Sequence, residues 1–172
     1  MSTVIETEFV QFTFGDRWTV VSYDRHPSVE KGIGRIRGTK RADVVGIHPD
    51  MGLMIFEATD YRRFAAPNIE VLLNEALAKF RDTAAGIALT ARIDADPAWM
   101  AFAAAMSDGA RPCRAVLWYD DSRAIDIRER KTRAATLSQK LKHDLCGVGI
   151  QAFVMSLESA GMPHLDLTAT LR

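Results

Sequence analysis

The chain has 172 residues, of which 48% are hydrophobic and 26% are charged, and its 22 lysines and arginines balance 22 aspartates and glutamates. This length and composition predict one globular domain and exclude collagen-like, coiled-coil and wholly disordered proteins. The zero net charge excludes a protein that binds nucleic acid through bulk positive charge, although it remains compatible with a local basic face.

The N-terminal residues predict no secretory signal, because Glu6 and Glu8 are present and no basic run precedes an apolar stretch. No stretch approaches the roughly 18 apolar residues that a membrane span needs. We therefore expect a cytoplasmic protein without membrane association. The two cysteines, Cys113 and Cys146, adjoin apolar runs and belong to no metal-binding pattern, so both are expected to be reduced and buried.

The first part of the chain predicts β-structure. Residues 9–14 and 18–23 alternate apolar and polar positions on either side of the turn at 15–17, which is typical of a hairpin. After a glycine-containing loop, residues 42–47 and 53–58 predict a second hairpin. The few polar residues in this second hairpin indicate a buried central pair of strands.

Helical periodicity begins near Pro67. Apolar residues at three- and four-residue steps between Ile69 and Ala88 predict a long helix. Four further elements are then predicted: a helix at 97–106, a strand at 113–119, a helix at 132–145 and a strand at 149–156. The order of elements predicts an α/β or α+β fold, with a mixed central sheet flanked by helices.

Polar residues gather at one end of the second hairpin. Asp43 lies near the start of one strand and Glu57 near the end of the next, a spacing that brings both carboxylates to the same end of the sheet. Paired carboxylates suit Mg²⁺, which completes its shell with water and substrate phosphate and activates bound water. The alternative is structural: Asp43 caps backbone amides after Lys40, and Glu57 pairs with Arg62 or Arg63.

The stretch 38–47, followed by a turn and the stretch 53–62, resembles the core of the PD-(D/E)XK nuclease superfamily. In that motif an Asp on one strand is followed by Glu-x-Lys on its hairpin partner. The surrounding context, with a strand ending near 23–27 and a helix containing 77–83, is similar to a group of small bacterial proteins of unassigned role. The resemblance touches about half the chain and implies a restriction-endonuclease-like fold.

The resemblance implies a metal site. Asp43 and Glu57 would be metal ligands, the backbone carbonyl of Ala58 would be a third, and Mg²⁺ or Mn²⁺ would be the cofactor. Glu30 is a weaker candidate for the glutamate that the superfamily often places on its first helix, since two nearby glycines argue against a helix there.

The lysine of the motif is missing, because its position falls on Thr59. The lysine ammonium would orient the attacking water and stabilise the negative charge of the transition state, whereas a threonine supplies one hydroxyl donor and no charge. Either Lys40 or Lys79 supplies the missing positive charge, or catalysis is lost.

Two segments break the charge balance. Residues 31–41 carry five basic residues and no acid, and residues 123–142 carry seven basic residues against Asp126 and Glu129. Beside a metal site, such a face would hold a nucleic-acid backbone without reading sequence. The alternative is a solvated loop and the outer face of a helix. The residues predicted to contact nucleic acid are Arg35, Arg37, Lys40, Arg62, Arg130, Lys131, Arg133 and Lys140.

Other polar and aromatic residues are assigned from their local context. Residues 24–26 provide either another carboxylate and an imidazole near the site or a turn before Pro27. Buried positions are expected for Trp99 and Trp118, and solvent-exposed positions for His48, Asp50, His143 and His164.

Two functions remain open. The first is a Mg²⁺-dependent phosphodiesterase that acts on DNA or RNA, which the retained Asp43 and Glu57 favour. The second is a catalytically inactive member of the same fold, which Thr59 favours. Such a protein would be a nucleic-acid-binding or protein-interaction subunit of a bacterial maintenance or defence system, with a protein partner or a second copy of itself. A small-molecule-binding domain is less favoured, because the chain has no phosphate-cradling glycine loop between a strand and a helix.

Overall fold

The structure of the protein is a computed structural model that describes residues 2–65, 67–157 and 161–172. The described strands and helices, in chain order, are β1 (Thr3–Glu6), β2 (Val10–Phe14), β3 (Thr19–Ser22), α1 (Pro27–Lys31), β4 (Val44–His48), β5 (Gly52–Asp60), α2 (Ile69–Ile93), α3 (Pro97–Ser107), β6 (Cys113–Asp120), α4 (Ile127–Cys146), β7 (Ile150–Met155), β8 (Gly161–Met162) and β9 (Leu167–Leu171). Short 3₁₀ turns lie at Ile33–Arg35 and Pro163–Leu165.

The strands form two sheets. The larger sheet has five strands in the order β3-β4-β5-β6-β7, in which β3, β4 and β5 are an antiparallel meander and β6 and β7 continue parallel to β5. The smaller sheet has the order β1-β2-β9-β8. The predicted mixed α+β architecture with a mixed central sheet is therefore confirmed.

The two faces of the five-stranded sheet are covered differently. One face packs against α1 to α4 around Tyr23, Phe80, Trp99 and Leu117. The other face packs against the smaller sheet, where aromatic rings including Phe12, Phe56 and Trp118 form the core. The predicted core positions of Trp99 and Trp118 are confirmed, since both are fully buried. All of the helices that the structure describes lie on one face, and a second sheet takes the place of the helices predicted for the other.

The predicted hairpin between residues 9–14 and 18–23 is wrong. β2 pairs with β1 and β9, whereas β3 pairs with β4, so the two segments belong to different sheets. The chain crosses between the sheets at Gly15, whose N–H donates to the carbonyl of Asp166 at 2.8 Å, and Trp18 then enters the core between the sheets. Alternation reports that a strand has one buried face, but it does not report the partner of that strand.

The loop after β3 contains a short helix, although the two glycines argue against a helix there at the level of sequence. Pro27 starts α1, and the Nδ1 atom of His26 accepts a hydrogen bond from the N–H of Ser28 at 3.3 Å. Gly32 lies at the C-cap of this helix rather than inside it, so it does not weaken the helix. α1 buries Val29 in the helix-side core.

Two burial predictions are also corrected. Cys113 is buried as predicted, but Cys146 is exposed, because it ends α4 away from the stripe of buried leucines. His48 is fully buried rather than exposed: its ring packs on Trp18 with centroids 5.0 Å apart, and its Nδ1 accepts from the N–H of Asp50 at 3.3 Å. The predicted exposure of Asp50, His143 and His164 is confirmed.

Among the described helices, none combines the length and apolar character that crossing a membrane requires.

Candidate active site

The hairpin of β4 and β5 places two carboxylates at one edge of the central sheet. Asp43 immediately precedes β4, and its N–H donates to the carbonyl of Phe56 at 3.1 Å. Its Oδ2 atom accepts a hydrogen bond from the N–H of Ala58 at 2.9 Å. The side chain therefore takes the place of a backbone carbonyl of β4 as the partner of Ala58 in the β-ladder. Asp43 and Glu57 both line a cavity of about 260 Å³ at this edge. The predicted convergence of the two carboxylates is thus present.

Helix α2 brings Lys79 to the same cavity. Its Nζ atom forms an ion pair with Oε1 of Glu57, and its side chain is 25% exposed. One turn further along α2, Thr83 Oγ1 accepts from the N–H of Ala42 at 2.9 Å, and Asp82 accepts from the N–H of Lys40 at 3.0 Å. These two bonds fasten the segment before Asp43 to α2, and they fix the position of Lys79 along the sheet edge.

Thr59 faces the same cavity, because residues two apart on a strand point to the same side. Its hydroxyl donates to Glu57 Oε1 at 3.3 Å. Oε1 of Glu57 therefore accepts from both Lys79 and Thr59, whereas Oε2 is buried and has no hydrogen-bond partner in the described part of the chain. Burial of a carboxylate oxygen without a partner is costly, which marks this atom as a position for a ligand.

Burial of the cavity raises the pKa of both carboxyls. Burial and then the charge of Asp43 raise the pKa of Glu57 to about 8, against the opposing effects of Lys79 and Thr59. Burial also raises the pKa of Asp43 to about 6, opposed by the N–H of Ala58 and by Lys79. Burial would lower the pKa of Lys79, but attraction to Glu57 and Asp43 outweighs it, and that pKa is raised. A bound cation would relieve the repulsion between the two carboxylates.

The oxygen atoms of this cavity fit a small hard cation. Glu57 Oε2 has no hydrogen-bond partner among the described residues, and Asp43 is adjacent through its bond to Ala58. The carbonyl of Ala58 points to the Asp43 side, because the N–H and C=O of one strand residue point the same way. Ala42, which would face Ala58 if the ladder continued, donates instead to Thr83.

The donor set is small. In residues 2–65, 67–157 and 161–172, no group of three or more His, Cys, Asp or Glu side chains suits a metal. Two carboxylates and a carbonyl are nonetheless the protein contribution that Mg²⁺ usually takes, since it retains several waters and binds substrate phosphate.

The mouth of the cavity is formed by residues that sequence reasoning did not connect to the site. Glu8 and Phe9 come from the β1–β2 turn, and Phe64 follows β5. Phe64 is 62% exposed. Glu75 also lines the rim, and it pairs with Lys40 at 3.3 Å rather than with Lys79, its neighbour four residues along α2. The only sequence signal for Glu75 is that it shares a helix face with Lys79.

The candidate replacement lysines are placed differently. Lys79 contacts Glu57, whereas Lys40 is half-exposed, contacts Glu75 and lies outside the residues that line the cavity. Residues 24–26 lie beside α1: Asp24 accepts from Ser22 Oγ at 3.3 Å, and the His26 ring packs on Trp99 with centroids 4.9 Å apart. Their structure fits the predicted turn, although the charge of Asp24 raises the pKa of Asp43, after burial as the main cause.

The residues predicted to contact nucleic acid fall into two groups. Arg35, Arg37 and Lys131 are exposed, and Arg130 is partly buried. The others contact acids or carbonyls: Arg62 forms a bidentate pair with Asp60, Arg133 contacts buried Asp121 and the carbonyl of Pro67, Lys140 pairs with Glu70, and Lys40 pairs with Glu75. The Arg62 pair also replaces the predicted alternative in which Glu57 binds that arginine.

Comparison of the chain with protein-family models, with curated proteins and with solved structures finds no significant match.

Proposed function

We propose that the protein is a divalent-metal-dependent phosphodiesterase of the PD-(D/E)XK type that acts on DNA or RNA, with Lys79 in the role of the motif lysine. One observation carries this proposal: Lys79 reaches Glu57 in the cavity that Asp43 and Glu57 share. The sheet supports it, since an antiparallel hairpin carrying the two carboxylates is followed by two helices and a parallel strand.

In this mechanism, Asp43, Glu57 and the Ala58 carbonyl would hold Mg²⁺ or Mn²⁺, which would supply a more acidic water and neutralise phosphate charge. Lys79 donates from its ammonium to the attacking water and to the phosphate oxygen that gains charge, which lowers the barrier electrostatically. Glu57 holds Lys79 in place through Oε1, and Thr59 holds Glu57 through its hydroxyl. The exposed Arg35, Arg37 and Lys131 neutralise backbone phosphates away from the reacting bond.

The first test is metal binding, because it does not depend on knowing the substrate. Mn²⁺ titrated into the protein at pH 8 and followed by calorimetry is expected to bind. Glu57→Gln is expected to weaken that binding by roughly tenfold or more, since it removes a charged ligand. The matched control is Glu75→Gln, which removes an equal charge from the rim of the same cavity but no proposed ligand. Absence of binding at millimolar Mn²⁺, or equal losses in both variants, would contradict the metal site.

The second candidate function is an inactive member of the fold that binds nucleic acid or a protein partner. It is favoured by Thr59 at the position of the motif lysine. It is also favoured by the hydrogen bonds that Lys79 and Thr59 already donate to Glu57 Oε1, because they leave that oxygen less available to a metal. Labelled single- and double-stranded DNA and RNA, incubated with Mg²⁺ or Mn²⁺, separate the two functions. Cleavage that disappears in Glu57→Gln supports the enzyme, whereas salt-dependent binding without cleavage supports the inactive protein.

A further inference from the structure

A second and larger cleft lies between α4 and the carboxyl ends of β6 and β7. Its volume is about 890 Å³, within the range of about 300–1,000 Å³ for pockets that hold small organic ligands. It shares no lining residue with the cavity of Asp43 and Glu57. The carboxyl ends of parallel strands are also where open α/β sheets commonly bind ligands.

The sequence of α4 explains why this cleft exists. In the second half of the helix, Leu137, Leu141 and Leu145 fill the space down to the sheet. In the first half, the side chains that follow Ile127 on the face toward the strand ends are small or polar, so a cleft remains between the helix and the strand ends. The residues of α4 that line the cleft repeat at three- and four-residue steps along one face: Ile127, Arg130, Lys131, Ala134, Ala135 and Ser138.

The cleft carries positive charge that its own acids do not neutralise. Arg130 and Lys131 line it, and neither forms an ion pair within the part of the chain that the structure describes. The Nε atom of Arg130 is buried and has no hydrogen-bond partner among the described residues. Of the lining acids, Asp121 is buried against Arg133, and Asp120 accepts from Ser156 Oγ at 2.8 Å. A guanidinium beside an ammonium fits the oxygens of a phosphate.

The rest of the lining combines Arg123 and two serines with an apolar surface that a phosphate ion alone would not cover. Ile127 is 58% exposed, although it is a large aliphatic residue at the cleft. Met155 and Ala134 continue the apolar surface. We propose that this cleft binds one nucleotide, with Arg130 and Lys131 on its phosphate and the nucleoside against Ile127 and Met155. The nucleotide is either free or one unit of a strand, and the inference goes beyond the proposed phosphodiesterase.

The test is calorimetric titration in EDTA with adenosine 5′-monophosphate, a hexameric single-stranded oligonucleotide and inorganic phosphate as three separate probes. We expect the mononucleotide or the hexamer to bind, and inorganic phosphate to bind more weakly. Two variants then report on the site. Arg130→Glu reverses the charge, and Ala134→Leu fills the cleft without changing charge. Each is expected to weaken binding by roughly tenfold or more.

The matched control is Lys142→Glu, which reverses an exposed charge on the same helix outside the cleft and is expected to leave the affinity unchanged. Binding of both organic probes assigns the cleft to a free nucleotide, and binding of the hexamer alone assigns it to a strand. Absence of both at millimolar concentration, or Ala134→Leu with the affinity of the wild type, would overturn the proposal. Since Ala134→Leu places a strong helix former on α4, it keeps the test usable if Arg130→Glu does not fold. Nucleotide titrations of Glu57→Gln test the cleft independently of the phosphodiesterase proposal. Glu57 does not line the cleft, so this variant should bind the nucleotide as the wild type does even if the protein cleaves no nucleic acid.

Discussion

Replacing Lys79 by methionine is expected to lower the rate of Mg²⁺-dependent cleavage by about 10²- to 10³-fold, the usual loss for one preorganised donor to a developing negative charge. Methionine keeps an unbranched stem on α2 while it removes the ammonium that contacts Glu57. The measurement is the single-turnover cleavage rate of a labelled nucleic acid at saturating protein. In that format the loss should fall on the chemical step rather than on substrate affinity.

The control for this prediction is a relocated lysine. Thr59 and Glu57 lie on the same side of β5 and line the same cavity, so Thr59→Lys places an ammonium at the motif position. The double variant Thr59→Lys with Lys79→Met is expected to recover much of the lost rate. A second control, Lys40→Met, removes a lysine that contacts the rim residue Glu75 and should leave the chemical step unchanged. A Lys79→Met protein that cleaves at the wild-type rate would remove Lys79 from the mechanism.

The elements that position the carboxylates were predictable because their signals are local. The hairpin of β4 and β5 is two nearly continuous apolar runs separated by a short turn, and α2 has a long apolar stripe. The start of α4 was placed too late, at residue 132 instead of Ile127, because its first turn is polar and its signal is the N-cap of Asp126. Once β4 and β5 are paired as an antiparallel hairpin, the number of residues between Asp43 and Glu57 places both at the same end of that hairpin.

The second sheet was not predictable because it joins the two ends of the chain. β2 pairs with β9 from Val10↔Leu171 to Phe14↔Leu167, and no local pattern encodes a pairing across that separation. This sheet also supplies Glu8 and Phe9 to the cavity mouth. Helical periodicity likewise put Lys79 on α2 without showing that it reaches Glu57. That contact depends on how α2 packs on the sheet through its buried apolar stripe and through bonds such as the one from Ala42 to Thr83.

The metal-free protein is expected to lose stability as pH rises through neutrality, and Glu57→Gln is expected to remove much of that loss. The pKa of Glu57 is about 8 in the folded protein against an ordinary value of 4.5, so between these values the folded state binds a proton that the unfolded state has released. Stability from this group is therefore present at low pH and is lost as pH rises toward 8. Asp43, with a pKa of about 6 against 3.8, acts in the same direction at lower pH.

Urea unfolding in EDTA at pH 5 and pH 8 measures this effect as the difference between Glu57→Gln and wild type. At pH 5 the two proteins should be similar, because both carry a neutral group at position 57. At pH 8 the variant should gain about 2 kcal/mol relative to wild type, less than the full shift implies because Lys79 loses its partner. Glu75→Gln, at the exposed rim, should show no such gain. A gain of equal size at both pH values would mean that Glu57 is ionised throughout. Without EDTA, Mn²⁺ should stabilise the wild type at pH 8 and have little effect on Glu57→Gln. The cation binds the folded protein and neutralises the buried carboxylates, whose charge otherwise lowers the stability of the folded state.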